Sequence, residues 1–277
     1  MAHFLNNPPL PAQSALLPEA DATLSMPVAP FGATGEIPGS DQAIANFAGS
    51  NSMKHTLATV TLGIAPQGDL HPLLLEHLPE EQIAHFGLLN GLSSAEIEQR
   101  YAPVSGEKVT MTHTEDGSFV ILSADKVSHA LQELVKTLEH QGFSTILILC
   151  AGEYKNLVAD RAVLIEPYRI LPPLVNAITG DNQVGIMVAR EEYIGEQRYK
   201  WRSLTMKPHF AVASPWETSE DQLIDAALKL QEQGADVVVL DCLGYHQRHR
   251  DFLQKLLGIP VVLSNMLIAR LAADLLV

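Results

Sequence analysis

From Leu57 onward, unbroken apolar runs alternate with segments whose apolar positions recur every three or four residues. LATVTLGI (57–64) predicts a buried strand ending at Gly63, and DLHPLLLEHL (69–78) predicts the helix after it. QIAHFGLL (82–89) predicts a second strand, and SSAEIEQRY (93–101) a helix capped by Ser93 or Ser94. KVTMTH (108–113) and SFVILS (118–123) flank Asp116 and Gly117, a hairpin signal. A long helix is expected from Asp125 to His140, stopped by Gly142, and then the apolar strand STILILC (144–150). AVLIEP (162–167) and QVGIMVA (183–189) predict further strands, separated by a helix starting near Pro172 and Pro173.

The second half repeats the theme. HFAVAS (209–214) predicts a strand, SEDQLIDAALKLQEQG (219–234) a helix capped by Ser219, and ADVVVLDC (235–242) another strand. A helix over 246–257, the strand IPVVLSN (259–265) and the helix MLIARLAADLL (266–276) complete the chain. Continuous Val, Ile and Leu strands alternating with helices indicate parallel sheets covered on both faces. The expected fold class is α/β with two lobes, one of roughly residues 53–180 plus 265–277 and the other of roughly 181–264.

Residues 1–52 break this pattern. They hold seven prolines, four acids and no Lys or Arg, and their apolar residues keep no period, so a disordered tail is expected there. Without basic residues the tail has neither a signal-peptide n-region nor a transit-peptide pattern. Over the whole chain 18 basic residues face 32 acidic ones, a net charge of −14. That anionic balance disfavours nucleic acid and acidic lipid as partners. No apolar run is long enough to span a membrane, and two cysteines cannot build a disulfide framework. A reduced, cytoplasmic setting is expected, with a homodimer left open.

Two segments resemble each other. QGFSTILILCAGE (141–153) and QGADVVVLDCLGY (233–245) share Gln-Gly, an apolar strand, Cys, one residue and Gly. Open parallel sheets bind ligands at the carboxyl ends of their strands. A cysteine there, followed by a turn and a helix N-terminus, has its thiol acidified and a carboxylate attracted. Cys150 and Cys242, facing across a cleft, are candidate bases for opposite faces of one substrate. The alternative is that each is a small buried hydrophobe.

The run LDCLGYHQRHRDFLQKLLGIPVVLSNMLIARLAADLLV (240–277) resembles the AroM family, as do TLGIAPQGDLHPLL (61–74), LLNGLSSAEI (88–97), YAPVSGE (101–107) and EPYRILPPLV (166–175). The family is named for a gene neighbouring shikimate kinase and has no established reaction. The resemblance implies two pseudo-symmetric lobes like those of the aspartate/glutamate racemase superfamily, which includes hydantoin racemases, maleate isomerases and arylmalonate decarboxylases. It places Cys150 and Cys242 at the two cysteine positions, and Gly63 to Pro66 in the loop that holds the substrate carboxylate. Racemases usually follow these cysteines with Asn-Thr and Thr. Here Ala151-Gly152 and Leu243-Gly244 supply no hydroxyl or amide donor.

DCLGYHQRHRD (241–251) is the densest polar cluster. His246 is a candidate acid/base beside Cys242, and Arg248 or Arg250 a candidate for a ligand carboxylate; a solvated face pairing with Asp251 is the alternative. Tyr245, Gly152, Gly244 and Asn265 complete the candidate substrate contacts. Asp241 is expected to cap the next turn or hold a histidine, Ser264-Asn265 to cap the last helix, and Glu166 and Arg169 to pair. No third ligand accompanies His246 and His249, so no metal site is expected. Neither phosphate-binding loop motif occurs, and no cofactor is expected. The favoured function is a cofactor-independent racemase or isomerase acting on a small carboxylic acid; the rivals are a non-catalytic sensor of an aromatic-pathway metabolite and a one-cysteine decarboxylase or isomerase in which Cys150 is merely buried.

Overall fold

The computed structural model describes residues 57–65, 71–114, 116, 118–150, 152–154, 156–216 and 219–276. The expected tail at 1–52, together with Pro66 and Ala151, lies outside the described residues. In chain order the first half holds β1 (Leu57–Thr61), α1 (His71–Leu75), β2 (Ile83–Gly87), α2 (Ser94–Tyr101), β3 (Val109–His113), β4 (Phe119–Ser123), α3 (Ala124–His140), β5 (Thr145–Ile148), β6 (Val163–Ile165) and α4 (Pro167–Thr179). The second half holds β7 (Val184–Val188), α5 (Ile194–Lys200), β8 (His209–Val212), α6 (Glu220–Glu232), β9 (Val237–Leu240), α7 (Gln247–Leu257), β10 (Val261–Leu263) and α8 (Ser264–Asp274).

Four strands pair in parallel in the order β2-β1-β5-β6, and four more in the order β8-β7-β9-β10. These are the same topology used twice. In each sheet the first strand lies inside, the second outside it, the third on its other flank and the fourth at the far edge. The mixed α/β class read from the sequence is therefore the observed one. The antiparallel hairpin β3–β4, expected around Asp116, belongs to neither sheet.

Side-chain alternation explains why the strands read as continuous apolar runs. Along β5, Ile146 and Ile148 pack outward against Leu131, Val135 and Leu138 of α3. Leu147 and Leu149 point the other way, into a core shared with Val184, Ile186 and Val188 of β7 and Ile268 and Ala269 of α8. Along β9, Val238 and Leu240 pack outward against Ala227 and Leu230 of α6, while Val239 joins the shared core. Each such fully buried side chain contributes about 1.5–3 kcal/mol. The shared core thus joins the two sheets.

Ser93 and Ser219 cap their helices as the sequence predicts, and the structure adds capping boxes with Glu96 and Gln222. Three expected boundaries are corrected. The helix placed near Pro172 begins at Pro167, and both prolines sit inside it. Each removes one N–H from the ladder, and burial of Tyr168, Leu171 and Val175 on the same helix offsets that loss. The helix expected over 69–78 is only the single turn α1 among the described residues, where Leu73 and Leu74 are its buried residues. The last strand stops at Leu263, which is the N-cap of α8, so Ser264 and Asn265 lie within the helix and do not cap it. Their side chains instead bond neighbouring backbone.

Candidate functional site

Cys150 lies two residues past β5 and Cys242 two residues past β9, the third strand of each sheet. A helix N-terminus follows Cys242, as the helix expected over 246–257 predicts, but none follows Cys150. A loop follows Cys150 and leads into β6, while α7 starts five residues after Cys242 with His246 as its N-cap. Neither cysteine is in a disulfide.

The two thiols have unequal surroundings. Cys150 is buried, packs in the outer layer of the first sheet with Tyr154 and Leu157, and places Sγ 4.0 Å from the Val60 carbonyl oxygen. Burial pushes its thiol up to about 12, so it keeps its proton at neutral pH. Cys242 is partly exposed and packs against the outer layer of the second sheet.

Between the two loops stands α5, a segment the sequence reading passed over. A Cβ built on Gly152 would stand 3.3 Å from the Tyr154 hydroxyl and 3.7 Å from Glu196 Oε1 of α5. Burial raises the pKa of Tyr154, and its neighbours Cys150 and Glu196 add to the shift. Burial likewise raises that of Tyr193, just before α5, and Cys242 and Glu196 add to it. Glu196 thus acts on one tyrosine near each cysteine.

The Cys242 loop is pinned from below. Asp241 Oδ2 accepts from Lys200 Nζ at 2.6 Å and from the Trp201 indole at 3.0 Å. This overturns the expectation that Asp241 caps a turn or holds a histidine. One residue beyond Leu240, it points back toward the shared core, where Lys200 and Trp201 are buried. Asn265 Nδ2 donates to the Leu243 and Tyr245 carbonyls at 2.8 and 2.7 Å. Both amide hydrogens are then used, so Asn265 shapes the loop and has no donor left for a carboxylate. Tyr245 is fully buried and donates its hydroxyl to the Ala213 carbonyl.

The remaining candidates lie around these loops. His246 donates its backbone N–H to His249 Nδ1 at 3.0 Å. Burial, then Arg248 and His246, lower the His249 pKa. Arg248 is exposed, and Arg250 Nε bonds Asp251 at 2.8 Å, which is the solvated-face arrangement. Gly63 lies under the hairpin, since a Cβ there would stand 2.7 Å from Thr112 Oγ1. Asn90 Oδ1 accepts the Ala65 N–H at 3.0 Å and so fixes the loop after β1. Glu166 and Arg169 pair at 2.8 Å, as expected. A cavity of about 600 Å³ opens beside the Cys150 loop, lined by Tyr154, Tyr168, Arg169, Lys200 and Arg202 among others. Among the described residues no group of three His, Cys, Asp or Glu is placed to hold a metal ion, and no helix is long and apolar enough to cross a membrane.

Sequence reasoning missed Tyr193, Glu196, Lys200 and Trp201. Their signal was present in EEYIGEQRYKW, where Gln197, Lys200 and Trp201 recur at helical spacing and are buried together. Charged residues in that stretch hid it.

The chain is structurally similar to allantoin racemase from Klebsiella pneumoniae, with TM-score 0.51, 12% identity and coverage of 79% of this chain and 86% of that one. A second allantoin racemase, from Pseudomonas fluorescens, gives TM-score 0.50 and 14% identity, covering 79% and 90%. An arylmalonate decarboxylase gives TM-score 0.50 and 14% identity, covering 79% and 92%. At these identities the likeness shows the racemase fold. No curated protein matches this chain. The family model described as AroM protein matches residues 57–276, most of the sequence. The chain belongs to the AroM family.

Proposed function

We propose that the protein binds a small carboxylic acid between the carboxyl ends of its two sheets and acts as a cysteine-dependent racemase or isomerase. The observation that carries this reading is the matching position of Cys150 and Cys242, each two residues beyond the third strand of sheets with one topology. The racemases and the decarboxylase of the same fold support it.

In the proposed reaction the Cys242 thiolate takes the proton on the carbon beside the carboxylate. The C–H electron pair stays on that carbon and spreads into the carboxyl group. The Cys150 thiol then gives its proton to the opposite face. The product has the inverted configuration, Cys150 is left as thiolate and Cys242 as thiol, and the reverse turnover restores both. Cys150 holds its proton at neutral pH, so it stands as the acid of the pair. His246, at the N-cap of α7, exchanges the Cys242 proton with solvent, and the loop from Gly63 to Pro66 receives the carboxylate. A proton moving between two thiols requires no cofactor.

A second reading, a non-catalytic sensor of an aromatic-pathway metabolite, is favoured by the lack of hydroxyl or amide donors in Ala151-Gly152 and Leu243-Gly244. Chiral chromatography separates the two. Single enantiomers of aspartate, glutamate and 2-hydroxy acids are incubated with the protein, and one is expected to racemise, with Cys150→Ser and Cys242→Ser each abolishing it. A compound that raises the melting temperature without inverting supports the sensor.

A further inference from the structure

The chain has two tryptophans, and they are placed in opposite ways. Trp201 is fully buried, whereas Trp216 is 55% exposed. Trp216 sits on the loop leaving β8, at the same end of the sheet as Cys242. Two contacts fasten that loop to the Cys242 loop. The Tyr245 hydroxyl donates to the Ala213 carbonyl. Gly244 lies so close to the Trp216 indole that a side chain at 244 would overlap the ring, and a Cβ there would also stand 2.8 Å from Pro215 Cγ. The glycine two residues after Cys242 therefore makes room for one edge of a large aromatic ring whose remaining surface stays open. Exposing an indole forgoes burial that its apolar body would otherwise gain.

We infer that Trp216 forms an aromatic subsite beside Cys242, and that the ligand is a carboxylic acid carrying a planar unsaturated ring. This rests on the reading of the cleft as a carboxylate site and specifies its substrate class. Neither Leu243 nor Gly244 offers a side-chain donor, and the indole packed on Gly244 brings an aromatic ring to the loop two residues from the thiol. A stacked pair of rings gains about 0.5–1.5 kcal/mol beyond the area it buries. That corresponds to a preference of about 2- to 10-fold for a planar ring over a saturated ring of equal size.

The test titrates the full chain with phenylacetate, cyclohexylacetate and acetate, following tryptophan fluorescence and melting temperature. Phenylacetate is expected to quench the exposed tryptophan saturably and to bind about 2- to 10-fold more tightly than cyclohexylacetate. Trp216→Leu, which keeps an apolar side chain on an exposed loop, is expected to erase that preference while cyclohexylacetate still binds. Equal binding of the two ring acids, or a preference that survives Trp216→Leu, overturns the subsite and leaves the carboxylate reading standing. Failure of all three acids to bind overturns both.

Discussion

Lys200 Nζ lies 2.6 Å from Asp241 Oδ2, with 4% and 6% of the two side chains exposed. The pair ties the end of α5 to the residue immediately before Cys242, and the Trp201 indole completes the carboxylate's shell. Removing one member of a buried pair costs about 3–5 kcal/mol, because the other charge is left unpaired in low dielectric. Lys200→Met is expected to destabilise the protein by about that amount in urea denaturation. The double variant Lys200→Met/Asp241→Leu is expected to regain most of it, since both charges then leave the core together.

The unequal burial of the cysteines sets an order of reactivity. Brief iodoacetamide treatment at neutral pH is expected to label Cys242 and leave Cys150 unmodified, as read by peptide mapping. The thiolate is the nucleophile, and burial holds Cys150 protonated up to about 12. Its folded pKa exceeds its ordinary value, so its contribution to stability is present below that value and is lost as pH rises toward 12. Labelling of both thiols at equal rates in the folded protein contradicts this picture.

His85 makes a second, acid-side prediction. Its Nδ1 lies 2.6 Å from Thr59 Oγ1, and its ring meets that of His71 edge-on at 4.7 Å. Burial first, and the neighbouring His71 second, lower its pKa to about 4. A base with a depressed folded pKa stabilises the fold above its unfolded value and loses that stability as pH falls. The window runs from 6.5 down to about 4. His85→Asn, which keeps a partner for Thr59, is expected to lose about 1–2 kcal/mol less than the parent across that window, after allowing for solvent screening. Parallel pH profiles for the two proteins contradict it.

The Tyr245 hydroxyl and the Asn265 amide both hold the Cys242 loop. Tyr245→Phe leaves the Ala213 carbonyl without this donor and is expected to cost about 1–3 kcal/mol. Iodoacetamide labelling of Cys242 is expected to quicken in the same variant, because the loop loses its tie to the β8 loop. A loss of stability with unchanged labelling assigns Tyr245 to packing alone.

What the sequence showed and hid follows from the range of the interactions. The strands, the two strand-end cysteines and the serine caps are local patterns, with period two, period 3.6 and fixed cap spacing, and they were legible. The prolines at 172 and 173 look like a helix start because proline favours the first turn, whereas here tertiary burial carries the helix through them. The partner of Asp241 lies 41 residues away in sequence, at Lys200. No local rule pairs them, and a lysine within a charged stretch reads as surface. The symmetry of the cysteine segments suggested a helix after each, whereas the loop after Cys150 belongs to the crossover into β6.

The proposal that Cys150 and Cys242 move an α-proton is tested most directly by deuterium exchange in D₂O, read by NMR. The protein is incubated with aspartate, glutamate, 2-hydroxy acids, shikimate-pathway acids and phenylacetate. Deuterium is expected to enter the carbon beside the carboxylate of at least one compound, with Cys242→Ser slowing entry by at least about 100-fold and Cys150→Ser blocking inversion of the labelled product. A compound that binds at saturation yet keeps its proton, or exchange at full rate in both variants, contradicts the account.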